Sequence, residues 1–172
     1  MTATDFVAID FETADYGADS ACAVGLVKVE KGVITRREHH LIRPPRREFV
    51  FTYIHGIQWA DVAKKPTFQE LWPGLGDVFA GARFLAAHNA PFDRGVLNAC
   101  CGAAGVAAPP LPFLCTVRLA RKTWNLRPTK LPNVCAHLGI ELKHHEALSD
   151  AVACAKIVLA AAQSGALLEA KA

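Results

Sequence analysis

The stretch DFVAIDFETAD, Asp5–Asp15, predicts the first strand of the sheet and carries the first acids of the candidate site. Its first six residues form a short apolar run, which is the pattern of a buried strand. Alternate residues of a strand point to the same face and rise about 3.3 Å each, so Asp10 and Glu12 share a face with attachment points roughly 7 Å apart. Their carboxylates can therefore reach one cation or two adjacent ones, whereas Phe11 points to the other face. The alternative is a strand that ends in a polar loop, where acids are common.

The following segments predict further strands. Residues 21–44 alternate apolar and polar positions on both sides of the turn Glu30–Gly32, and the two prolines after Arg43 end this hairpin. ARFLAAHNA, residues 82–90, predicts a second buried strand, and PPLPFLCTV, residues 109–117, predicts an extended segment.

Helices are predicted between and after these strands. Asp61 and Thr67 are candidate caps of two short helices, the second of which Pro73 breaks or bends. Longer helices are predicted at residues 91–105, 115–124, 130–140 and about 147–164. Because the strands come first and helices then alternate with strands, the order predicts a single α/β domain over residues 1–172, with an antiparallel portion in the sheet and helices on its faces.

Composition narrows the class of protein. The net charge of +3 permits a polyanionic partner without requiring one, and a chain that is 52% hydrophobic is globular rather than disordered. The six cysteines include no C-x-x-C pair, which argues against a zinc site and favours reduced thiols in a cytoplasmic protein. No apolar stretch is long enough to cross a membrane, and the N-terminus lacks the pattern of a secretion signal.

A second acidic position follows the predicted strand at residues 82–90. In LAAHNAPFD, this strand runs into His88 and Asn89, and Asp93 stands at the head of a helix. A carboxylate there also favours the helix dipole, which is the simpler interpretation.

A third acidic position lies in KHHEALSDA, residues 143–151. Asp150 is one turn into a helix that otherwise contains alanine and aliphatic residues. Ionised carboxylates are rarely buried without a partner or a metal. Two adjacent histidines, His144 and His145, precede this helix, and the stretch alone does not decide which of them works with Asp150.

The three acidic positions together predict a metal site. Oxygen ligands without cysteine favour Mg²⁺ or Mn²⁺. Clustered carboxylates would repel one another in the absence of metal. A pair of such ions stabilises the attacking and leaving oxygens in phosphodiester hydrolysis.

The segments DFET, HNAPFD and HHEALSDA resemble, in order and spacing, the three motifs of the DEDDh 3′–5′ exonucleases. This is the DnaQ-like branch of the ribonuclease-H-like superfamily, and the resemblance extends from Asp5 to about Leu159. It implies a ribonuclease-H-like α/β fold with a five-stranded mixed sheet flanked by helices. It also implies two divalent ions, Mg²⁺ or Mn²⁺, and an enzyme that hydrolyses the 3′-terminal phosphodiester and releases nucleoside 5′-monophosphates.

The resemblance assigns roles to the motif residues. The implied metal ligands, which are also catalytic residues, are Asp10, Glu12, Asp93 and Asp150. Asp10 would bind both ions, Glu12 and Asp150 would complete the tighter site, and Asp93 would act on the second, often through water. The family histidine lies in the pattern H-x-x-x-x-D. That pattern selects His145, rather than His144, as the general base that takes a proton from the attacking water.

Substrate contacts also follow from the resemblance. The candidates are Phe11, Thr13, Ile54, His55, Asn89 and Phe92. The segment YIHGI, residues 53–57, resembles the family segment that borders the terminal base and sugar. Thr13 would contact the terminal nucleotide through its backbone or hydroxyl. Phe11 is equally consistent with a core aromatic, and Asn89 with support of the strand end.

Two basic clusters are candidates for guiding a strand into the site, because Lys and Arg bind phosphates without sequence preference. They are Arg43, Arg46 and Arg47, and Arg118, Arg121, Lys122, Arg127 and Lys130. The alternative for each is an ordinary solvated surface.

Single-stranded DNA is the favoured substrate and RNA the alternative, since motifs do not encode contacts to the 2′-hydroxyl. A proofreading exonuclease with a DNA polymerase or repair partner is an alternative setting for the same chemistry. A nucleic-acid-binding module without turnover is the alternative from another class, and it is disfavoured because every motif position is filled. No membrane partner is expected, and the oligomeric state stays open.

Overall fold

Five strands form one mixed sheet in the computed structural model, which describes residues 5–171. The strands are β1 (Phe6–Thr13), β2 (Ala21–Glu30), β3 (Val33–Leu41), β4 (Leu85–Ala87) and β5 (Phe113–Cys115). Their order across the sheet is β3-β2-β1-β4-β5. The first three form an antiparallel meander, and β4 and β5 continue the sheet in parallel with β1. The predicted five-stranded mixed sheet is confirmed. The prediction about a secretion signal rests partly on residues 1–4, which lie outside the described residues.

Eight helices accompany the sheet in the described part of the chain. They are α1 (Thr52–His55), α2 (Trp59–Val62), α3 (Phe68–Leu71), α4 (Gly76–Phe79), α5 (Ala90–Ala104), α6 (Thr116–Trp124), α7 (Leu131–Leu138) and α8 (Ala147–Gln163). A 3₁₀ helix, Trp72–Leu75, joins α3 to α4 at the predicted break. It begins beside Pro73, which cannot continue the α-helical ladder.

Two local predictions need correction. Asp61 does not begin a helix, because α2 starts at Trp59, and the Asp61 carboxylate instead accepts the backbone N–H of Gln58 at 2.8 Å. The strand predicted at residues 82–90 is limited to β4, since Ala90 already belongs to α5. Thr67 does cap α3, and its backbone N–H donates to Glu70 at 2.8 Å in a capping box.

The sheet has a buried core on each face. Val7, Ile9 and Phe11 of β1 pack into one cluster with α5 and the α3–α4 region. Phe6 and Ala8 point to the opposite face and pack against the apolar side of α8. The alternation of β1 therefore carries its next two positions on that face, which are acidic, towards the start of α8.

The structure also describes the cysteines and the apolar character of the helices. All six cysteines are free thiols, and every one except Cys115 is buried. Within residues 5–171, no helix has both the length and the apolar character required to cross a membrane.

Candidate active site

Three carboxylates from two elements meet at one end of the sheet. Asp10 and Glu12 come from the carboxyl end of β1, and Asp150 comes from the first turn of α8. One oxygen from each carboxylate lies within 4.8 Å of the others. The predicted sharing of a strand face by Asp10 and Glu12 thus brings both acids to Asp150.

Asp93 approaches the same strand from α5 and is 1% exposed. Strand β4 pairs with β1 only beside Val7 and Ala8, so the N–H of Phe11 lies beyond this ladder. The Asp93 carboxylate accepts that N–H at 3.0 Å. Asp93 is not one of the three acids that converge within 4.8 Å, and its position is set by the edge of β1.

Burial raises the pKa of all four acids, and the charges of neighbouring acids add to the shift at Asp10, Glu12 and Asp93. Burial is the larger cause for Asp10, whose pKa is raised well above its ordinary value, and the charges of Asp93, Asp150 and Glu12 add to it. Burial, followed by the neighbouring acids, raises the pKa of Glu12 to about 8. Burial is also the main reason that the pKa of Asp93 is raised to about 8, although the hydrogen bond from the Phe11 N–H lowers it in part. Four acids that resist ionising together are a favourable site for a cation.

The side chains present fit a divalent cation of the hard, oxygen-binding kind. The donors are carboxylate oxygens, which Mg²⁺ and Mn²⁺ prefer. The buried Oδ1 of Asp150 has no hydrogen-bond partner among residues 5–171. A buried polar atom left without a partner costs free energy, and a bound cation would remove that cost.

Both histidines of the HHEALSDA segment lie at the acids. The Nδ1 of His144 is 2.8 Å from Oδ2 of Asp150, and the backbone N–H of His145 donates to the same oxygen at 3.2 Å. The two imidazole rings stack with centroids 3.7 Å apart. His145 has a φ of 66°, a left-handed conformation that turns the chain into α8. The H-x-x-x-x-D pattern selected His145 and gave no indication that the side chain of His144 contacts Asp150.

A cleft of about 280 Å³ opens beside the acids, and we call it the apolar cleft. Its walls include five of the six predicted substrate-contact residues, namely Phe11, Thr13, Ile54, His55 and Phe92. Phe92 and Ile54 are 46% and 39% exposed, so their side chains are open to a ligand.

The nitrogens of the His55 ring are already engaged within the chain. Its Nε2–H donates to the carbonyl oxygen of Thr13 at 3.0 Å, and its Nδ1 accepts the N–H of Ile57 at 3.1 Å. These bonds fix the neutral tautomer, and burial lowers the pKa of the imidazole in agreement. His55 therefore holds Thr13 in place, and the ring surface is what it offers to a ligand.

Two predicted substrate contacts differ from the others. Phe11 lines the apolar cleft, but its side chain is 3% exposed and stacks on Trp72 in the core, which favours the core alternative for this ring. Asn89, with a φ of 71°, precedes α5 and lines a different cleft, beside His88.

In the first predicted basic cluster, Arg46 and Arg47 make contacts within the protein. Arg46 forms bidentate hydrogen bonds with Asp15 and Asp19, at 2.6–3.1 Å, which fasten the loop after β1. Arg47 lies over the ring of Trp59 at 5.3 Å. Guidance of a strand by Arg46 is therefore not supported, because its guanidinium is already paired.

Gly25 is a site-forming residue that the sequence did not reveal. It lies opposite Asp10 in the β1–β2 ladder. A Cβ at Gly25 would lie 2.2 Å from the carbonyl oxygen of Ala147 and 2.6 Å from the N of Leu148. The missing side chain therefore lets the first turn of α8, which carries Asp150, lie directly on β2.

Replacing Gly25 by alanine is expected to displace the start of α8 and reduce turnover by about 10²-fold, since misplacing a catalytic group by an ångström has that effect. The clash is with backbone, so we also expect a loss of about 1–3 kcal/mol in the free energy of unfolding. Gly102→Ala in α5 is the matched control. A Cβ there meets nothing within 4 Å, so this variant should be fully active and slightly more stable. Equal activity in the two variants would show that the approach of α8 to β2 is not needed.

The raised carboxyl pKa values predict how stability depends on pH without metal. In the unfolded chain these acids titrate near 4, whereas Glu12 and Asp93 titrate at about 8 in the fold. Between those values the folded state binds more protons, so stability falls as the pH rises from about 4 to 8. In EDTA, we expect the Tm to fall across this window, and Mn²⁺ to raise the Tm more at pH 8 than at pH 6. A Tm in EDTA that rises steadily to pH 8 would contradict this electrostatic description.

Similarity to known proteins agrees with this geometry. A family model described as an exonuclease, RNase_T, matches residues 7–158. The chain therefore belongs to this exonuclease family, and its motifs are of the DEDDh 3′–5′ type. The members of this family are hydrolytic nucleases, and they generally use divalent metals.

Individual relatives show how widely the domain is used. The chain is 33% identical over 159 residues to the PolC-type DNA polymerase III of Thermotoga maritima. The matching region covers 90% of this chain but only 12% of that protein. The structure of exonuclease X in complex with 5′ overhanging duplex DNA matches with a TM-score of 0.75 and 26% identity, over 92% of both chains. The nuclease domain of 3′hExo bound to rAMP matches with a TM-score of 0.85 over 99% of this chain and 97% of that one, and at 19% identity it confirms the fold.

Proposed function

We propose that this chain removes nucleotides one at a time from the 3′ end of single-stranded DNA, with two divalent ions, Mg²⁺ or Mn²⁺, and releases nucleoside 5′-monophosphates. The observation that carries the proposal is the meeting of Asp10, Glu12 and Asp150 within 4.8 Å beside a cleft of about 280 Å³. Such a cleft at the edge of an acidic cluster suits one terminal nucleoside whose phosphate lies at the acids. When bound, the two ions would neutralise the charge that develops on this phosphate and stabilise the attacking and leaving oxygens.

The chain itself supplies ligands, orientation and a base. Asp10 would bind both ions, Glu12 and Asp150 would bind one, and Asp93 would act on the other from its position at the β1 edge. Thr13, held by His55, and the exposed side chains of the apolar cleft would orient the terminal nucleotide. His145 lines the same cleft, and its imidazole would accept the proton of the attacking water.

The experiment is a time course with 5′-labelled single-stranded oligonucleotides. Incubation with Mg²⁺ or Mn²⁺ should give a ladder that shortens from the 3′ end, and EDTA should prevent it. DNA and RNA oligonucleotides of the same sequence, run in parallel, measure the preference for DNA. Binding of the oligonucleotide without shortening in either metal would refute the enzymatic proposal.

A proofreading role beside a DNA polymerase is the second candidate. It is favoured by the PolC-type relative, in which the matching region is part of a protein named as a polymerase. The test is whether the chain shortens a mispaired primer terminus faster than a paired one, and whether it elutes with a replicative polymerase in gel filtration.

A further inference from the structure

A second cleft of about 640 Å³ meets the apolar cleft at the acids, and we call it the basic cleft. The two clefts share three residues, Asp10, His144 and Asp150. Each cleft thus leads away from the same acidic centre. If a phosphate of a bound strand lies at that centre, the nucleotides on one side of this phosphate can lie in one cleft and those on the other side in the second cleft.

The walls of the basic cleft carry positive charge without paired acids. Arg121, Arg127 and Lys130 line it, all three are exposed, and none forms an ion pair with a carboxylate of residues 5–171. Lys122, from the same predicted basic cluster, points elsewhere and pairs with Glu169 at 2.9 Å. Unpaired cations along a groove are what a sugar–phosphate backbone requires.

Thr129 fastens the loop that carries these cations. It is 5% exposed, and its carbonyl oxygen accepts the Nε2–H of His88 at 2.9 Å. Its hydroxyl oxygen accepts the Nε–H of Arg121, which also lines the cleft, at 2.8 Å. The loop between α6 and α7 is therefore tied to the end of β4, next to the acids, so that its cations are held in place rather than left to sample solvent.

We propose that the basic cleft binds the phosphates of the nucleotides on the 5′ side of the scissile bond, while the apolar cleft holds the 3′-terminal nucleotide. The strand then crosses the acids from the basic cleft into the apolar one. This inference rests on the proposed function and adds the direction in which the strand lies. Arg127 and Lys130 would contact the sugar–phosphate backbone of the bound strand. His88 and Thr129 are positioning residues for these two cations.

The test is binding in Ca²⁺, which requires no turnover, with two probes. One is 5′-fluorescein-labelled dT12, and the other is thymidine 5′-monophosphate, which has no nucleotide on its 5′ side. Arg127→Ala/Lys130→Ala should weaken dT12 binding about 10-fold and reduce the salt slope of log K by about 1.4, or 0.7 for each phosphate contact. Binding of thymidine 5′-monophosphate should not change.

Lys64→Ala/Lys65→Ala is the matched control. It removes the same two charges from an exposed segment that lines neither cleft, and it should leave both affinities unchanged. Equal weakening by the control would show a general charge effect and overturn the proposal.

Other outcomes also decide the matter. Unchanged dT12 binding in Arg127→Ala/Lys130→Ala, or equal loss for both probes, would overturn the proposal. A wild type that binds as expected but never shortens DNA would refute the proposed exonuclease and leave the strand direction supported.

Discussion

Asp10→Asn is expected to reduce the rate of nucleotide release by about 10³-fold or more. The acid lies where β1 meets α8 and is the one carboxylate proposed to bind both ions. Metal-ion catalysis contributes several kcal/mol to the transition state, and about 1.4 kcal/mol corresponds to tenfold in rate. The measurement is kcat on a single-stranded oligonucleotide with saturating Mn²⁺.

The same variant should lower activity but raise the stability of the metal-free protein. A loss of activity can therefore be told apart from a loss of folding. Asparagine is neutral, and it replaces an acid whose ionised form is disfavoured in the fold because burial and neighbouring acids raise the pKa of Asp10. In EDTA at pH 8, Asp10→Asn should therefore have a higher Tm than the wild type, and Mn²⁺ should raise its Tm less. Asp77→Asn, in the exposed first turn of α4, is the control and should change neither property. Full activity of Asp10→Asn would refute the proposed metal site.

His145→Ala is expected to lower kcat by about 10²-fold or more, within the range for loss of a general base. The 5′-p-nitrophenyl ester of thymidine monophosphate reports this step without an upstream strand. Its good leaving group needs little acid assistance, so the loss reflects activation of water.

His144→Ala tests the choice between the two histidines. His144 contacts Asp150 at 2.8 Å, and its removal leaves that carboxylate with the backbone N–H of His145 and any bound cation. We expect a mild loss of kcat, with weaker apparent affinity for Mn²⁺ because Asp150 is less well oriented. A severe loss in His144→Ala and a mild one in His145→Ala would assign the base to His144.

The strands and acids were predictable because their signals are local. Alternation along β1 places Asp10 and Glu12 on one face, and a single carboxylate on the apolar α8 marks Asp150 as unusual. The helix cap at Thr67 and the end of α7 at Gly139 follow from the same kind of pattern. The sequence of strands and helices predicted the α/β class, but not the order of the strands across the sheet.

The remaining features depend on contacts between distant segments. Nothing near Gly25 in the sequence indicates that the carbonyl of Ala147 lies against it. Arg46 resembles a phosphate ligand until its pairing with Asp15 is seen, and the contacts of Thr129 link three separate elements. The side of the sheet to which Phe11 points was predicted, but whether that side is core or cleft depends on where Trp72 packs.

The most direct test of the proposed metal site is an anomalous difference map from crystals grown with Mn²⁺ and thymidine 5′-monophosphate. We expect two peaks, both next to Asp10, one of them also next to Glu12 and Asp150, with the nucleoside in the apolar cleft. His144, His145 and Asp150 form the other group of ligand atoms within 4.8 Å of one another. A single peak on that group, with none at Asp10 and Glu12, would contradict the proposed metal site.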